Sequence, residues 1–211
     1  MISQRRRLAV AVAVVLVALL APFVPALRHG TLRAMGRVLI VSDPVGPADV
    51  GVVTETGEAG ELEVSDLYHD HVFPRVIVLV PAPTAPDREL LRRGVQREDI
   101  TVTTLRQLGV PPGVITTIEA GEGGTTDSTQ ALADWVRNHP ARILVVVSPT
   151  HARRYRRTLL RVWPANVPPP RVTFPRAHSF HAQDWWVARR TRRDGIFELE
   201  KLLWDYVRHP W

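Results

Sequence analysis

The chain has no cysteine, so a disulfide framework, a thiolate zinc site and a cysteine nucleophile are all excluded. It has no visible internal repeat, and its 211 residues are enough for one α/β domain plus a short appendage. Residues 1–30 have no acidic side chain. Hydrophobic residues make up 45% of the chain and charged residues 23%, a composition that is typical of a folded globular protein.

The net charge of +6 does not by itself indicate a nucleic-acid partner. Part of it comes from four arginines at the N-terminus, Arg5, Arg6, Arg7 and Arg28. Two further arginine clusters, in residues 153–157 and 189–193, lack the regularly spaced aromatic side chains of a single-strand binder. We therefore expect no nucleic-acid partner.

The N-terminus carries a membrane-insertion pattern. Residues 8–27 are uncharged, mostly Ala, Val and Leu, and long enough to cross a bilayer as a helix. The arginines before this stretch predict that residues 1–7 are a cytoplasmic tail and that the chain after a single plasma-membrane span lies outside the cytoplasm. A cleaved signal peptide is the alternative, because Val24-Pro25-Ala26 places small residues at the spacing of a cleavage site.

The remaining chain alternates between apolar β-branched runs and amphipathic segments. Residues 28–47 are expected to connect the membrane segment to an α/β domain formed by residues 48–211. Strands are predicted at residues 49–54, 75–80, 114–118, 142–147 and 171–174, and helices at 61–71, 88–108, 125–139 and 150–163, with one long helix or a pair of helices over 183–207. Since the strands show no polar alternation, we predict a Rossmann-like three-layer α/β fold with a mostly parallel sheet, preceded by one transmembrane helix.

The strongest functional signal follows the fourth predicted strand. The strand stops at Ser148-Pro149, and His151 and Arg154 come next, at the start of a helix. In a parallel sheet this position lies at the carboxyl edge, where such folds bind ligands. Residues three apart share a helix face, so His151 and Arg154 could address one oxyanion. The alternatives are a capping role for the histidine and a solvated role for the arginine.

Other candidates have equally simple structural explanations. Thr125 could be a helix N-cap, and the helix dipole favours Asp127 in the same first turn without any function. Glu200 lies in the closing helix, where it could pair with Arg154 or His151 or face water. The adjacent side chains in residues 69–71, two His flanking an Asp, cannot all point to one centre, so we expect no metal.

Several segments together resemble the YdcF, SanA and ElyC family of bacterial envelope proteins. They follow the apolar anchor as VSDPVGPADVGVV, RQLGVP, TTDST, VSPTHARR and ELEKLLWDY, at residues 41–53, 106–111, 125–129, 147–154 and 198–206. The resemblance covers nearly the whole chain. It implies that the family's site residues correspond to Thr125, Asp127 and Ser128, to Ser148, His151 and Arg154, and to Glu200.

Two loops depart from the family pattern. The glycine pair after the first strand is replaced by Glu55-Thr56, and a Ser-Gly-Gly after the second strand is replaced by Pro81-Ala82-Pro83. Glycines let backbone N–H groups approach an anion closely, whereas proline offers no N–H and Glu55 would repel a phosphate. The resemblance therefore implies a diverged member whose ligand loops have changed.

Two hypotheses follow. In the first, the exported domain binds and processes an anionic, phosphate-bearing cell-wall or lipid intermediate. His151 is then the general acid/base and Arg154 the oxyanion partner, while Thr125, Asp127 and Ser128 orient the ligand. In the second, the domain is a non-enzymatic interaction or regulatory module of the envelope. A nucleotide or S-adenosylmethionine binder is a third hypothesis, which the absence of a GxGxxG after the first two strands disfavours. The sequence identifies no cofactor and leaves the oligomeric state open.

Overall fold

A five-stranded parallel sheet forms the middle layer of the protein. The computed structural model describes residues 25–54, 56, 58–95, 99–122 and 124–210. The strands are β1 (Val50–Val53), β2 (Val76–Pro81), β3 (Ile115–Ala120), β4 (Ile143–Val146) and β5 (Arg171–Thr173). Their order is β3-β2-β1-β4-β5, and all neighbouring pairs are parallel. Strands β2, β1 and β4 are therefore adjacent at the centre of the sheet, which is parallel as predicted.

The central strands are buried on both faces, which explains why their sequences do not alternate with polar residues. In β4, Ile143 and Val145 belong to one hydrophobic core, whereas Leu144 and Val146 belong to the other. Successive side chains of a strand point to opposite faces, so a strand covered on both sides needs an apolar residue at every position.

Helices cover both faces of the sheet. They are α1 (Pro25–Leu39), α2 (Glu58–His69), α3 (Ala85–Arg92), α4 (Ile100–Gln107), α5 (Thr125–Asn138), α6 (Ala152–Val162) and α7 (Arg189–Arg208). Buried residues of α5 and α6 belong to one core, and those of α2 and α4 belong to the other. This arrangement confirms the predicted Rossmann-like three-layer α/β fold.

The single helix predicted for residues 88–108 is wrong. The structure has two shorter helices there, because Gly94 adopts a left-handed conformation with φ of 80° just after α3 ends. A new helix then begins after Asp99, whose carboxylate accepts hydrogen bonds from the backbone N–H groups of Thr101 and Val102.

Residues 28–47, predicted as a connection, contribute a helix to the packed structure. Leu39 of α1 is buried with Leu202 of α7 and with Phe180 and Trp185 of the preceding segment. The Trp185 Nε1–H donates a hydrogen bond of 2.7 Å to the carbonyl of Leu32. The last helix, predicted from residue 183, begins at Arg189. These contacts attach α1 to the helix that closes the chain.

The predicted membrane span at residues 8–27 lies, except for its last three residues, outside the described residues. Among the described helices, none combines the length and the apolar character needed to cross a bilayer.

The middle of β1 is closely packed against an aromatic ring. Gly51 pairs with Val76 on one side and Leu144 on the other, so it lies at the centre of the sheet. A Cβ atom at Gly51 would come within 2.5 Å of the Cε1 and Cε2 atoms of the buried Phe73 ring. The ring therefore occupies the space of the side chain that glycine lacks.

Candidate functional site

The candidate site lies at the carboxyl edge of the sheet, beyond the end of β4. The strand order reverses between β1 and β4, so the connections that follow these two strands lead to opposite faces of the sheet and a crevice opens between them at this edge. The chain leaves β4 through Val147 and Ser148 and enters α6, whose N-cap position is His151. Thr125, the first residue of α5, reaches the same region from the loop that follows β3.

His151, Arg154 and Thr125 are in direct contact. The Nε2 atom of His151 lies 3.1 Å from the Oγ1 atom of Thr125. The Nη1 atom of Arg154 donates to the same hydroxyl at 3.0 Å. His151 is 7% exposed, so it is a buried residue. It makes no side-chain capping hydrogen bond, although it occupies the N-cap position.

Glu198 of α7 is the acid that completes this cluster. Its carboxylate accepts hydrogen bonds from Arg154 Nε at 3.0 Å and Nη2 at 3.2 Å, and from Lys201 Nζ at 3.0 Å. Its Oε2 atom lies 3.1 Å from His151 Nδ1. Burial by itself would raise the pKa of the Glu198 carboxyl, but the hydrogen bonds from His151 and Arg154 outweigh it and hold the pKa well below its ordinary range. Glu198 is therefore an ionised carboxylate at neutral pH.

The two ring nitrogens of His151 have different hydrogen-bonding roles. Nδ1 lies close both to Glu198 and to Arg154 Nη2, the latter at 2.9 Å. A carboxylate only accepts hydrogen bonds and a guanidinium only donates them, so a single nitrogen cannot satisfy both neighbours. We assign the proton to Nδ1, because an unprotonated Nδ1 would turn its lone pair towards the carboxylate, while Arg154 Nη2 already donates to Glu198. Nε2 then carries a lone pair that faces Thr125.

Two helix N-termini open at the cluster without a side-chain cap. The N-cap of α5 is Gly124, with φ of 65°, and the N-cap of α6 is His151; neither makes a side-chain capping hydrogen bond. Thr125 is consequently not the N-cap that the sequence suggested, and its hydroxyl points to His151 and Arg154 instead. The first backbone N–H groups of a helix and its dipole both favour a negatively charged group nearby.

The cluster forms one wall of a cleft of about 480 Å³, which we call the His151 cleft. Its lining residues come from the start of α5 and the residue before it, from the β4–α6 loop and the first turn of α6, and from α7: Gly124, Thr125, Ser148, Thr150, His151, Arg154, Asp194, Phe197, Glu198 and Lys201. A larger cleft of about 760 Å³ shares Ser148, Thr150 and Asp194 with it. The two clefts together offer space for a ligand that is larger than one phosphate group.

The other predicted site residues are spread along the same edge. Ser148 lines both clefts, and its hydroxyl lies 3.2 Å from that of Thr150. Ser128 is buried, donates a hydrogen bond of 3.1 Å to the carbonyl of Thr125 and lines a third cleft of about 460 Å³. Asp127 turns towards Gly121, where an added Cβ would meet its Cγ at 3.1 Å. Glu55 lies outside the described residues.

Glu200 does not join the cluster; its place is taken by Glu198. Glu200 is exposed, because two residues along a helix correspond to a rotation of about 200° and bring it to the outer side of α7. Sequence reasoning missed both Glu198 and Lys201. The available signal was the spacing of Thr191, Gly195, Glu198 and Leu202, which defines the buried face of α7.

The end of β2 and the loop that follows it lie at the third cleft, which Pro81 and Ala82 line. Proline supplies no N–H to an anion, but a cation, the guanidinium of Arg88, lines the same cleft. Arg88 Nη1 donates to the carbonyl of Pro83 at 2.7 Å and lies 3.1 Å from Glu122. Its guanidinium is therefore held at the mouth of this cleft by two acceptors.

Comparisons of the chain with protein-family models, with curated proteins and with solved structures found no match.

Proposed function

We propose that the α/β domain binds and processes an anionic, phosphate-bearing cell-wall or lipid intermediate of the cell envelope, with His151 as the general acid/base. The observation that carries this proposal is the orientation of His151: Nδ1 lies against Glu198, Nε2 lies 3.1 Å from the hydroxyl of Thr125, and both His151 and Thr125 line the His151 cleft. An imidazole that is fixed at one nitrogen and presented to a cleft at the other is suited to proton transfer.

The His151 cleft is lined by two cations, Arg154 and Lys201, and by two carboxylates, Asp194 and Glu198. Glu198 pairs with the guanidinium of Arg154, so this arginine mainly positions other groups, whereas the side chain of Lys201 is 57% exposed at the rim. The uncapped N-termini of α5 and α6 add partial positive charge at the same place. A phosphate group in the cleft would meet Lys201 and these backbone N–H groups.

Ligand binding and proton transfer can be tested separately on the full-length protein in detergent. Inorganic pyrophosphate and phenyl phosphate should raise its melting temperature, because a ligand at about 100 Kd adds about 2.7 kcal/mol to the free energy of unfolding. The His151→Asn variant should keep the hydrogen bond to Glu198 but lose the atom that faces Thr125. We expect it to bind both probes and to hydrolyse phenyl phosphate about 10² to 10⁴ times more slowly.

Acetate at the same ionic strength is the control for non-specific salt effects. Melting temperatures that respond equally to acetate, pyrophosphate and phenyl phosphate would contradict the proposed phosphate binding. Unchanged hydrolysis by His151→Asn would remove the histidine from the reaction.

We further propose that residues 8–27 anchor the chain in the plasma membrane and place the domain outside the cytoplasm. The uncharged stretch and the three preceding arginines support this topology. A reporter enzyme that is active only after export, fused behind Trp211, should be active, and the same fusion lacking residues 1–27 should be inactive. Activity of the shortened fusion, or inactivity of the complete one, would contradict the proposed topology.

A non-enzymatic interaction module of the envelope is the second candidate function. It is favoured by the internal pairing of the cluster, since one carboxylate accepts hydrogen bonds from both Arg154 and Lys201 and lies against His151. Ion-pair networks of this kind also occur in purely structural roles. Cells in which His151→Asn supports normal envelope function, at normal protein abundance, would favour this candidate.

A further inference from the structure

The hydroxyl of Thr125 has a contact pattern that a ligand-orienting or capping role does not require. Thr125 is half-buried and lines the His151 cleft, so a molecule bound in this cleft would contact it. Among the described residues the hydroxyl has two polar neighbours, Arg154 Nη1 at 3.0 Å and His151 Nε2 at 3.1 Å. Capping does not explain this arrangement, because the N-cap of α5 is Gly124.

These two neighbours determine where the hydroxyl proton points. The Arg154 guanidinium can only donate, so it occupies a lone pair of Oγ1. The hydroxyl hydrogen is then left to donate to Nε2, which is free to accept when Nδ1–H donates to Glu198. The two hydrogen bonds therefore run in one direction: Thr125 donates to His151, and His151 donates to Glu198.

A hydroxyl that donates to an imidazole, which in turn donates to a buried carboxylate, is the arrangement that activates a nucleophile. Two features favour the negative charge that would develop on Oγ1. Arg154 donates to this oxygen, and Thr125 is the first residue of α5, where the helix dipole is positive. The nearby Ser148 lacks this environment, because its hydroxyl partner is Thr150.

We propose that Thr125 is the catalytic nucleophile and carries the phosphoryl group of the substrate as a covalent phosphothreonine. This inference rests on the proposed phosphate-processing function and adds to it. In the first step Oγ1 attacks phosphorus, His151 Nε2 takes the threonine proton, and the bond between phosphorus and the leaving oxygen breaks. His151 returns that proton to the leaving alcohol.

In the second step a water molecule attacks the phosphothreonine and gives a proton to His151. The bond between Oγ1 and phosphorus breaks, threonine recovers the proton from His151, and inorganic phosphate leaves. Over both steps a phosphate monoester and water become an alcohol and phosphate, so no other reactant is needed. Glu198 acts as a positioning residue, since it contacts His151 and Arg154, whereas Arg154 donates directly to the attacking Oγ1 and stabilises its negative charge.

The test compares Thr125→Val and Thr125→Ser with the matched variant Thr126→Val, which changes an exposed threonine in the same helix turn. With p-nitrophenyl phosphate as substrate, Thr125→Val should lose about 10³-fold or more in kcat. Thr125→Ser should retain measurable turnover because it keeps a hydroxyl, and Thr126→Val should behave like the wild type. Thr125→Val should still bind pyrophosphate.

A covalent intermediate has two further signatures in the wild-type protein. When methanol is added, the ratio of methyl phosphate to inorganic phosphate should be the same for phenyl phosphate and p-nitrophenyl phosphate, because both pass through one intermediate. Acid-quenched protein should contain a phosphoryl group on the peptide that includes Thr125.

The possible failures are distinguishable. If Thr125→Val hydrolyses the substrate as fast as the wild type, or the methanol ratio depends on the leaving group, the nucleophile proposal is overturned while His151-dependent hydrolysis stands. If the wild type binds pyrophosphate but neither turns over nor becomes phosphorylated, the covalent step is again overturned and phosphate binding stands. If the wild type binds no phosphate probe, the proposed function itself fails.

Discussion

Replacing Glu198 with alanine should lower the free energy of unfolding by about 3 kcal/mol at neutral pH. The side chains of Glu198 and Arg154 are only 11% and 16% exposed, so their charges are largely removed from water. Without the carboxylate, Arg154 loses its bidentate partner and His151 loses the acceptor at Nδ1. Such an uncompensated buried charge costs more than an exposed one. Chemical denaturation of the variant and the wild type would measure the difference.

Glu200→Ala is the matched control, because it removes the same side chain from the exposed side of the same helix. It should change the free energy of unfolding by no more than about 0.5 kcal/mol. Equal effects of the two substitutions would mean that Glu198 is not the buried partner of Arg154.

The effect of Glu198→Ala should also depend on pH. The pKa of Glu198 in the folded protein lies below its ordinary value of 4.5. The ionised carboxylate therefore contributes fully to the free energy of unfolding above pH 4.5, and this contribution is lost as the pH falls through the folded-state pKa. The difference in stability between wild type and variant should therefore shrink in acid. Asp49 also loses stabilisation in acid, since its hydrogen bonds with Arg142 lower its pKa to about 2, but this residue is present in both proteins and cancels in the difference.

Replacing Gly51 with valine should destabilise the protein by about 3 kcal/mol, as overpacking of a well-filled core does. Valine is favoured over glycine in strands, so strand propensity alone would predict a gain in stability. The packing decides the outcome, because the new side chain would overlap with the Phe73 ring, which is 1% exposed and has little room to move. A urea titration followed by far-ultraviolet circular dichroism would measure the change.

Two comparisons make the Gly51 prediction specific. Adding Phe73→Ala to Gly51→Val should restore part of the stability that the two single variants lose, since it frees the space the valine needs. Gly30 is at an exposed position of α1, with no atom within 4 Å of an added Cβ. Gly30→Ala should therefore leave the free energy of unfolding unchanged or raise it by about 0.5 kcal/mol. Strictly additive losses in the double variant would show that Phe73 is not the obstacle.

The sheet could be predicted from the sequence because its signal is local. A run such as residues 143–147 contains only Ile, Leu and Val, and a strand without polar positions has to be covered on both faces. The break between α3 and α4 was also encoded, in the left-handed Gly94 and in the capping Asp99, but the apolar pattern on either side favoured one continuous helix.

The site could be predicted only in part. The change from β4 to α6 identified His151 and Arg154, because a polar residue directly after a buried strand lies at the sheet edge. The choice between Glu198 and Glu200 depends on which side of α7 faces α6 and α1, and this is a property of tertiary packing. The direction of the Thr125 hydroxyl likewise depends on Arg154 and His151, which lie more than one element away in the chain.

The position of Glu198 on the last helix has a consequence for the order in which the protein is made. A chain leaves the ribosome from its N-terminal end, so Thr125 and His151 emerge long before the carboxylate that orients the histidine. Until α7 has docked, the imidazole lacks the acceptor that fixes its proton on Nδ1. A chain that has been synthesised only as far as α6 therefore contains the hydroxyl and the ring but lacks the carboxylate contact that aligns them.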